Sequence, residues 1–351
     1  MDNISKRKQT ILQIFLKGEE LSSSVVFGEL EKIGDKVSQV TVKRALSEMT
    51  EAHLLHVSGA GPGTTYTITV TGRACADVRA EEYCKIEPDK RFGMSRFNFE
   101  LFSQFPSDIF SSREQETLTS ATKEYEKRIL HVTPTAQKKE LERLVIELSW
   151  KSSRIEGNTY TLLDTEKLIL EHKEAVGHSK SEAVMILNHK HAFTFVHEHA
   201  KKFKTLTRAN LEQVHSLLVK DLNVGVGIRR SLVGVLGSKY QPLDNVHQIT
   251  DALLALSRTI NALNDPYAKA LVGLIGVSYI QPFEDGNKRT SRLIANALLM
   301  AHGLAPLSYR SVDENAYREA MLVFYELNSI VPFKKIFIEQ YDFAARNYAV
   351  K

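Results

Sequence analysis

Ile280-Gln281-Pro282-Phe283-Glu284-Asp285-Gly286-Asn287-Lys288-Arg289-Thr290-Ser291-Arg292 lies between two apolar helical patterns, Leu271 to Ile280 before it and Leu293 to Met300 after it. A loop that feeds a helix in this way is a natural phosphate cradle. The first N–H groups of a helix have no internal partners and sit at the positive end of its dipole. Gly286 lets the backbone come close to an anion. Arg289 and Arg292 share one helix face, so both can reach a single polyphosphate. Asp285 offers the hard oxygen that Mg²⁺ needs when it is held between protein and phosphates. Pro282 and Phe283 would pin the loop to the core.

The stretch resembles the signature of the Fic family, His-x-Phe-x-(Asp or Glu)-Gly-Asn-(Gly or Lys)-Arg-x-x-Arg, and meets every specified position except the first. The resemblance implies a domain that moves AMP from ATP, with Mg²⁺, onto a Ser, Thr or Tyr hydroxyl of a protein target. It assigns Phe283 as the buried anchor and Asp285 as the metal ligand. Gly286, Asn287 and Lys288 become the phosphate-binding loop, and Arg289 and Arg292 the phosphate-contacting arginines. Sister families move other phosphate-containing groups with the same loop, so the donor too is implied by the resemblance. Gln281 stands where the family has the histidine that accepts the proton of the target hydroxyl. An amide is neutral, has no usable pKa near 7 and only hydrogen-bonds. Loss of a general base costs ~10²–10⁴ in rate. An engineered substitution, a natural pseudoenzyme and a divergent enzyme with its base elsewhere all fit this replacement.

Upstream, Leu141, Leu144, Val145 and Leu148 have the spacing of an amphipathic helix, which Ser152 and Ile155 continue up to a helix-end glycine, Gly157. The helix is expected over about residues 139–158. Ser152 to Gly157 resembles the inhibitory motif of the Fic family, (Ser or Thr)-x-x-x-Glu-(Gly or Asn). That resemblance implies that Glu156 pairs with Arg292 and competes with a phosphate for its guanidinium. Between the two motifs, Val233-Gly234-Val235-Leu236-Gly237 belongs to the one stretch of the helical region with strand-like apolar runs bracketed by glycines. It resembles the family's flap, a short β-hairpin that holds a target segment by strand addition.

The first 75 residues read as three short helices and a hairpin. Helix one, from Lys6 to Leu16, stops at Gly18; helix two runs from Ser23 to Gly34. Helix three carries Val40, Val42, Leu46 and Met49 as its buried face. The hairpin has a Gly-rich tip, Ser58 to Gly63. Together these elements resemble a winged helix-turn-helix. One reading puts helix three in a DNA major groove with Lys43 and Arg44 near phosphates or base edges; the other is a protein-interaction module that touches no DNA. Residues 76–110, with Phe92, Phe97, Phe99, Phe102 and Phe105, read as a connector that packs. The expected fold class is therefore mainly α: a winged helix-turn-helix over 1–75, that connector, and an all-helical Fic-type domain over 111–351.

His178, His189, His191, His197 and His199 lie on a helical stretch with lysines between them and read as a solvated face rather than a metal site. Cys75 and Cys84 read as free thiols. A net charge of +4 does not by itself imply nucleic acid. No stretch approaches the ~20 apolar residues of a membrane span, and the polar start Met1 to Lys8 lacks the apolar core of a secretory signal. A cytoplasmic protein without membrane partners is expected, and a homo-oligomer is compatible with the sequence. Two functions remain open: a protein adenylyltransferase restrained by Glu156 and impaired by Gln281, or a catalytically silent nucleotide-binding, DNA-binding regulator.

Overall fold

The structure is a computed structural model that describes residues 4–18 and 20–350, so the first three residues of the polar N-terminal stretch lie outside it. It is mainly α, with 63% helix and 3% strand. The chain divides into two compact units. The first comprises Met1–Ser111, Val235–Gln241 and Asn315–Lys335; the second comprises Ser112–Gly234, Pro242–Glu314 and Ile336–Lys351.

In the first unit the order is α1 (Lys6–Lys17), β1 (Leu21–Ser22), α2 (Ser23–Lys32), α3 (Gln39–Glu51), β2 (Leu55–Ser58), β3 (Thr65–Ile68), α4 (Val70–Cys75) and α5 (Ala80–Cys84). Serine hydroxyls cap each of the first three helices: Ser5, Ser22 and Ser38 accept N–H bonds from Lys8, Val25 and Thr41. The three strands form an antiparallel sheet in the order β1-β3-β2, with Leu55 opposite Ile68 and Ser58 opposite Thr65. Ile11, Phe15, Val26, Leu30, Val42 and Leu46 fill the core between helices and sheet. Val40 does not join them and is 75% exposed. Val42, Leu46 and Met49 follow the i, i+4, i+7 spacing of one face, and a residue two places before Val42 falls on the opposite side. Tyr83 of α5 belongs to the same core. Phe97 and Phe102 are buried, whereas Phe99 is 63% exposed, so the packing expected of residues 76–110 holds for most of their aromatics.

The second unit contains α6 (Ser112–His131), α7 (Pro134–Ile155), α8 (Leu162–Glu171), α9 (Lys180–Glu198), α10 (Arg208–Leu218), α11 (Val246–Ala262), α12 (Pro266–Ile280) and α13 (Asn287–Ala301). α7 starts five residues before the expected position because Thr133 caps it and Pro134 occupies its first turn. α12 is apolar all round and buried from Tyr267 to Ile280, which makes it the central helix. It packs on α13, against which α7, α9 and α10 also lie. α14 (Glu314–Leu327) and α15 (Val331–Asn347) complete the chain. Among the described residues no helix is long and apolar enough to cross a membrane.

Candidate active site

α12 gives way to the loop at Gln281, whose left-handed backbone (φ 50°, ψ 58°) caps the helix, and Pro282 follows. Phe283 is fully buried. Its ring stacks on His215 of α10, with centroids 3.8 Å apart and planes 8° from parallel. His215 Nε2 lies 2.9 Å from the carbonyl oxygen of Asp285, so it carries the proton and donates. Burial pushes His215 down to about 4, which keeps the ring neutral at pH 7. Asn287 closes the turn: its side-chain oxygen accepts from the Phe283 N–H at 2.9 Å and its amide donates to the Phe283 carbonyl at 2.8 Å. Asn287 keeps its backbone N–H and the second hydrogen of its amide nitrogen for a further acceptor.

Gly286 caps α13 with φ 79° and makes no side-chain hydrogen bond, so no capping oxygen serves the first-turn N–H groups. A Cβ at this glycine would sit 3.2 Å from Val219 Cγ1, in a backbone region that side chains disfavour. Arg289 is only 2% exposed. Its Nη2 donates to Asp285 Oδ2 at 2.9 Å, while Nη1 and the neighbouring Thr290 hydroxyl are buried with no hydrogen-bond partner. Buried donors of this kind call for an acceptor, and a phosphate group at the loop would supply one. The residues present therefore fit a phosphate. Glu284 and Asp285 are the loop's exposed carboxylates, and among the described residues no group of three metal-ligating side chains exists. Such a donor set suits Mg²⁺, which commonly takes one or two carboxylates and completes its shell with phosphate oxygens and water.

Arg292 is fully buried. Its Nε donates to the Ser152 hydroxyl, and its Nη2 to both the Ser152 carbonyl and Glu156 Oε1, each at 2.8 Å. The second oxygen of Glu156 lies 3.5 Å from Lys288 Nζ. Glu156 is thus shared between two cations of the loop-helix. Burial alone would raise its carboxyl, but Arg292 and Lys288 together hold it below the ordinary carboxylate value.

The backbone explains why Glu156 stands there. It is the C-cap of α7; the Asn158 N–H donates to the Ser153 carbonyl and the Gly157 N–H to the Arg154 carbonyl, the paired bonds of a Schellman motif. Gly157 supplies the required positive φ of 96°. The last turn is held further by Lys151 Nζ and Arg154 Nε, 2.9 and 3.0 Å from the same oxygen of Glu314.

At the other side of the loop, Gln281 is buried and its amide nitrogen donates back to the Ser278 carbonyl at 2.6 Å. Its main-chain oxygen accepts from Arg229 Nε at 2.6 Å, and the Arg229 N–H reaches the Pro282 carbonyl at 3.0 Å. Glu284 accepts from the Gly225 N–H at 3.0 Å. Arg229 and His215 carry no sequence signal of their own; each works through main-chain carbonyls that only the fold brings near.

Two expectations are corrected. The stretch Val233 to Gly237 forms no strand. It is a loop with a turn, Ser238 N–H to Val235 carbonyl, in which Leu236 is 100% exposed and Val233 and Val235 are half-buried. Apolar alternation favours a strand only where a neighbouring strand takes up the backbone groups, and none does here. His189 is fully buried rather than on a solvated face, because α9 is packed by α7, α8, α10 and α13. Burial, with Arg292 and Arg289 nearby, keeps its ring neutral. In the first unit Lys43 and Arg44 are both exposed on α3, and Arg44 also bonds Glu48 at 2.9 Å.

Residues 205–299 match the Fic/DOC family, and this stretch is a Fic/DOC family domain. The match begins after α7, so Glu156 lies outside it. The chain is 31% identical over 183 residues to the protein adenylyltransferase Fic of Nematostella vectensis, covering 48% of this chain and 41% of that protein. Against the protein of the same name from Culex quinquefasciatus it is 30% identical over 215 residues, covering 58% and 41%. The chain thus spans about two fifths of the length of these curated relatives. Among solved structures, Fic-1 of C. elegans (residues 134–508) superposes with a TM-score of 0.59 at 19% identity, over 68% of this chain and 72% of that one. A Fic domain containing signaling protein from Bacteroides thetaiotaomicron gives 0.56 at 19% identity, over 65% and 94%. At these identities the structural matches establish the fold, a mainly helical Fic fold.

Proposed function

We propose that this chain is a Fic-type protein adenylyltransferase that binds ATP through Gly286 to Arg292, is restrained by Glu156, and lacks a proton acceptor because position 281 is glutamine. The observation that carries the reading is the sharing of Arg292 and Lys288 by one carboxylate: a site built for an anion is held by an anion from the same chain. The first-turn N–H groups of α13, Lys288, Arg289 and Arg292 would bind the phosphates. Asp285 would hold Mg²⁺, which when bound neutralises charge on the phosphate oxygens.

In AMP transfer the target hydroxyl oxygen bonds to the α-phosphorus, the bond from that phosphorus to the bridging oxygen breaks, and pyrophosphate leaves. The hydroxyl proton needs an acceptor. Gln281 offers an amide oxygen of negligible basicity, and its nitrogen is already engaged with Ser278. Position 281 therefore offers the proton no acceptor and transfer is slowed, while the groups that would bind the phosphates are unchanged. The partner would be a protein with a Ser, Thr or Tyr hydroxyl.

Incubation with ATP labelled in the α-phosphate tests the reading. Label transfer should rise by ~10²–10⁴ in Gln281→His and further in Gln281→His with Glu156→Gly. No transfer from the double variant, alone or with a cell extract as target source, would count against it.

A second reading is supported by the first unit. Three helices and a three-stranded sheet, with Gln39, Thr41, Lys43 and Arg44 exposed on α3, suit a winged helix-turn-helix that meets DNA. A nucleotide-binding, DNA-binding regulator without transfer chemistry would show sequence-selective DNA binding and no label transfer in any variant.

A further inference from the structure

Arg229 is 4% exposed, and its side chain is spent on main-chain oxygens. Nε donates to the carbonyl of Gln281 at 2.6 Å and Nη1 to the carbonyl of Ser231 at 2.8 Å. Nη2 donates to the carbonyl of Leu243. Its own N–H completes the set at the Pro282 carbonyl, 3.0 Å away. One residue therefore ties both ends of the segment 231–243 to the first two residues of the phosphate loop. The five residues in these contacts, with 231–234 and 242–243 of the segment, belong to the second unit.

The chemistry suits this task. A guanidinium presents donors in a fixed planar fork and serves three divergent acceptors at once, whereas an ammonium on a flexible stem does so only by giving up that geometry. The point of attachment matters as well. Gln281 has a left-handed backbone without being glycine, a conformation that persists only where the surroundings enforce it. Arg229 grips the carbonyl of that residue, and through it the peptide that sets where the side chain at 281 points. The Glu284 bond to the Gly225 N–H adds a second tie from the same loop to the chain just before Arg229.

We infer that Arg229 is a positioning residue that holds Ser231, Leu243 and residue 281 in one frame, so that a protein segment resting beside residues 231–234 is registered against the side chain at 281. The catalytic part of this inference rests on the adenylyltransferase reading; the mechanical part does not. Loss of the frame leaves the phosphate grip of Arg289, Arg292 and the α13 N-terminus intact, and misplaces the attacking hydroxyl relative to position 281.

The test uses the full chain with Arg229→Lys and Arg229→Gly, in the background as given and in Gln281→His. Amide hydrogen exchange without nucleotide is the deciding readout. Exchange at 225–234 with 242–245 and at 277–284 is expected to accelerate together, more in Gly than in Lys, while α9, α11 and α13 keep their protection. Added guanidinium ion at millimolar concentration should slow both segments in the Gly variant. Acceleration of only one segment, or of the whole unit, overturns the coupling; if the Gly variant does not fold, the Lys variant decides by the same criteria.

In Gln281→His, kcat for label transfer should fall ~10²-fold, the scale of a small misplacement of reacting groups, with the ADP Kd shifted less than about threefold. A parallel loss of ADP affinity marks a merely structural role and overturns the inference. No transfer from Gln281→His with Arg229 intact counts instead against the adenylyltransferase reading, and the exchange result still decides the coupling.

Discussion

Glu156 Oε1 lies 2.8 Å from Arg292 Nη2, a contact that joins the end of α7 to α13 across 136 residues of sequence. Arg292 is completely buried, and such a charge tolerates no loss of its carboxylate. Glu156→Gly should therefore unfold more easily, by about 3 kcal/mol on the scale of a broken buried pair. Saturating ATP should return much of that stability, since a ligand at 100 times its Kd adds about 2.7 kcal/mol. Thermal or urea unfolding with and without nucleotide measures both. An unchanged midpoint in Glu156→Gly would contradict the contact.

Arg292→Lys separates charge from geometry. The guanidinium bonds the Ser152 hydroxyl, the Ser152 carbonyl and Glu156 through two nitrogens, a fork that lysine does not reproduce. In a Glu156→Gly background the change should weaken ATP binding ~10–100-fold, the worth of one charged hydrogen bond. Equal affinities by fluorescence titration with a labelled nucleotide would mean that Arg292 does not meet the phosphates.

The stack of His215 on Phe283 has a pH signature. Burial pushes the folded ring down to about 4, below the 6.5 of an ordinary histidine, so between these values the unfolded chain binds more protons. Stability should fall as pH drops through that window, by up to about 3 kcal/mol from this one residue. His215→Gln keeps a donor for the Asp285 carbonyl and removes the titration. Its stability should vary less between pH 7 and 4 than that of the parent; identical slopes in urea unfolding would show that His215 is not held neutral.

For α3, the DNA reading makes an ionic-strength prediction. Lys43 and Arg44 are both exposed on that helix. If they touch phosphates, Lys43→Ala and Arg44→Ala should each reduce the slope of log affinity against log salt by ~0.9 on duplex DNA. Slopes that do not move, measured by anisotropy across a salt series, remove α3 from the interface.

The geometry of the loop from Gln281 to Arg292 was legible in the sequence because its requirements are local. Gly286 must be the cap, Phe283 must be buried beside it, and Arg289 and Arg292 must sit on one turn of α13, so the requirements fall on consecutive positions. Glu156 was legible for a similar reason, since a helix-end glycine and a short motif fix where its carboxylate stands. What stayed hidden depends on distant main chain. Arg229 finds the carbonyls of Gln281 and Leu243, and His215 finds the carbonyl of Asp285, and a carbonyl has no residue identity to read. Lys288 drew attention as a phosphate ligand, while its proximity to Glu156 depends on how α7 packs beside α13. The glycine-bracketed segment at 233–237 misled because alternation reports a strand's side chains and says nothing of whether a partner strand exists. His189 misled because lysines on either side of it suggested a wet face, while its own side of α9 is packed.

Calorimetric titration of ATP with Mg²⁺ into the chain as given, into Glu156→Gly, and into Glu156→Gly with Arg292→Lys tests the central claim most directly. The account predicts weak binding to the first, at least tenfold tighter binding to the second, and loss of that gain in the third. Absence of ATP and ADP binding in all three, with the proteins folded, would contradict the claim that residues 282–292 grip a nucleotide and that Glu156 competes for the same arginine.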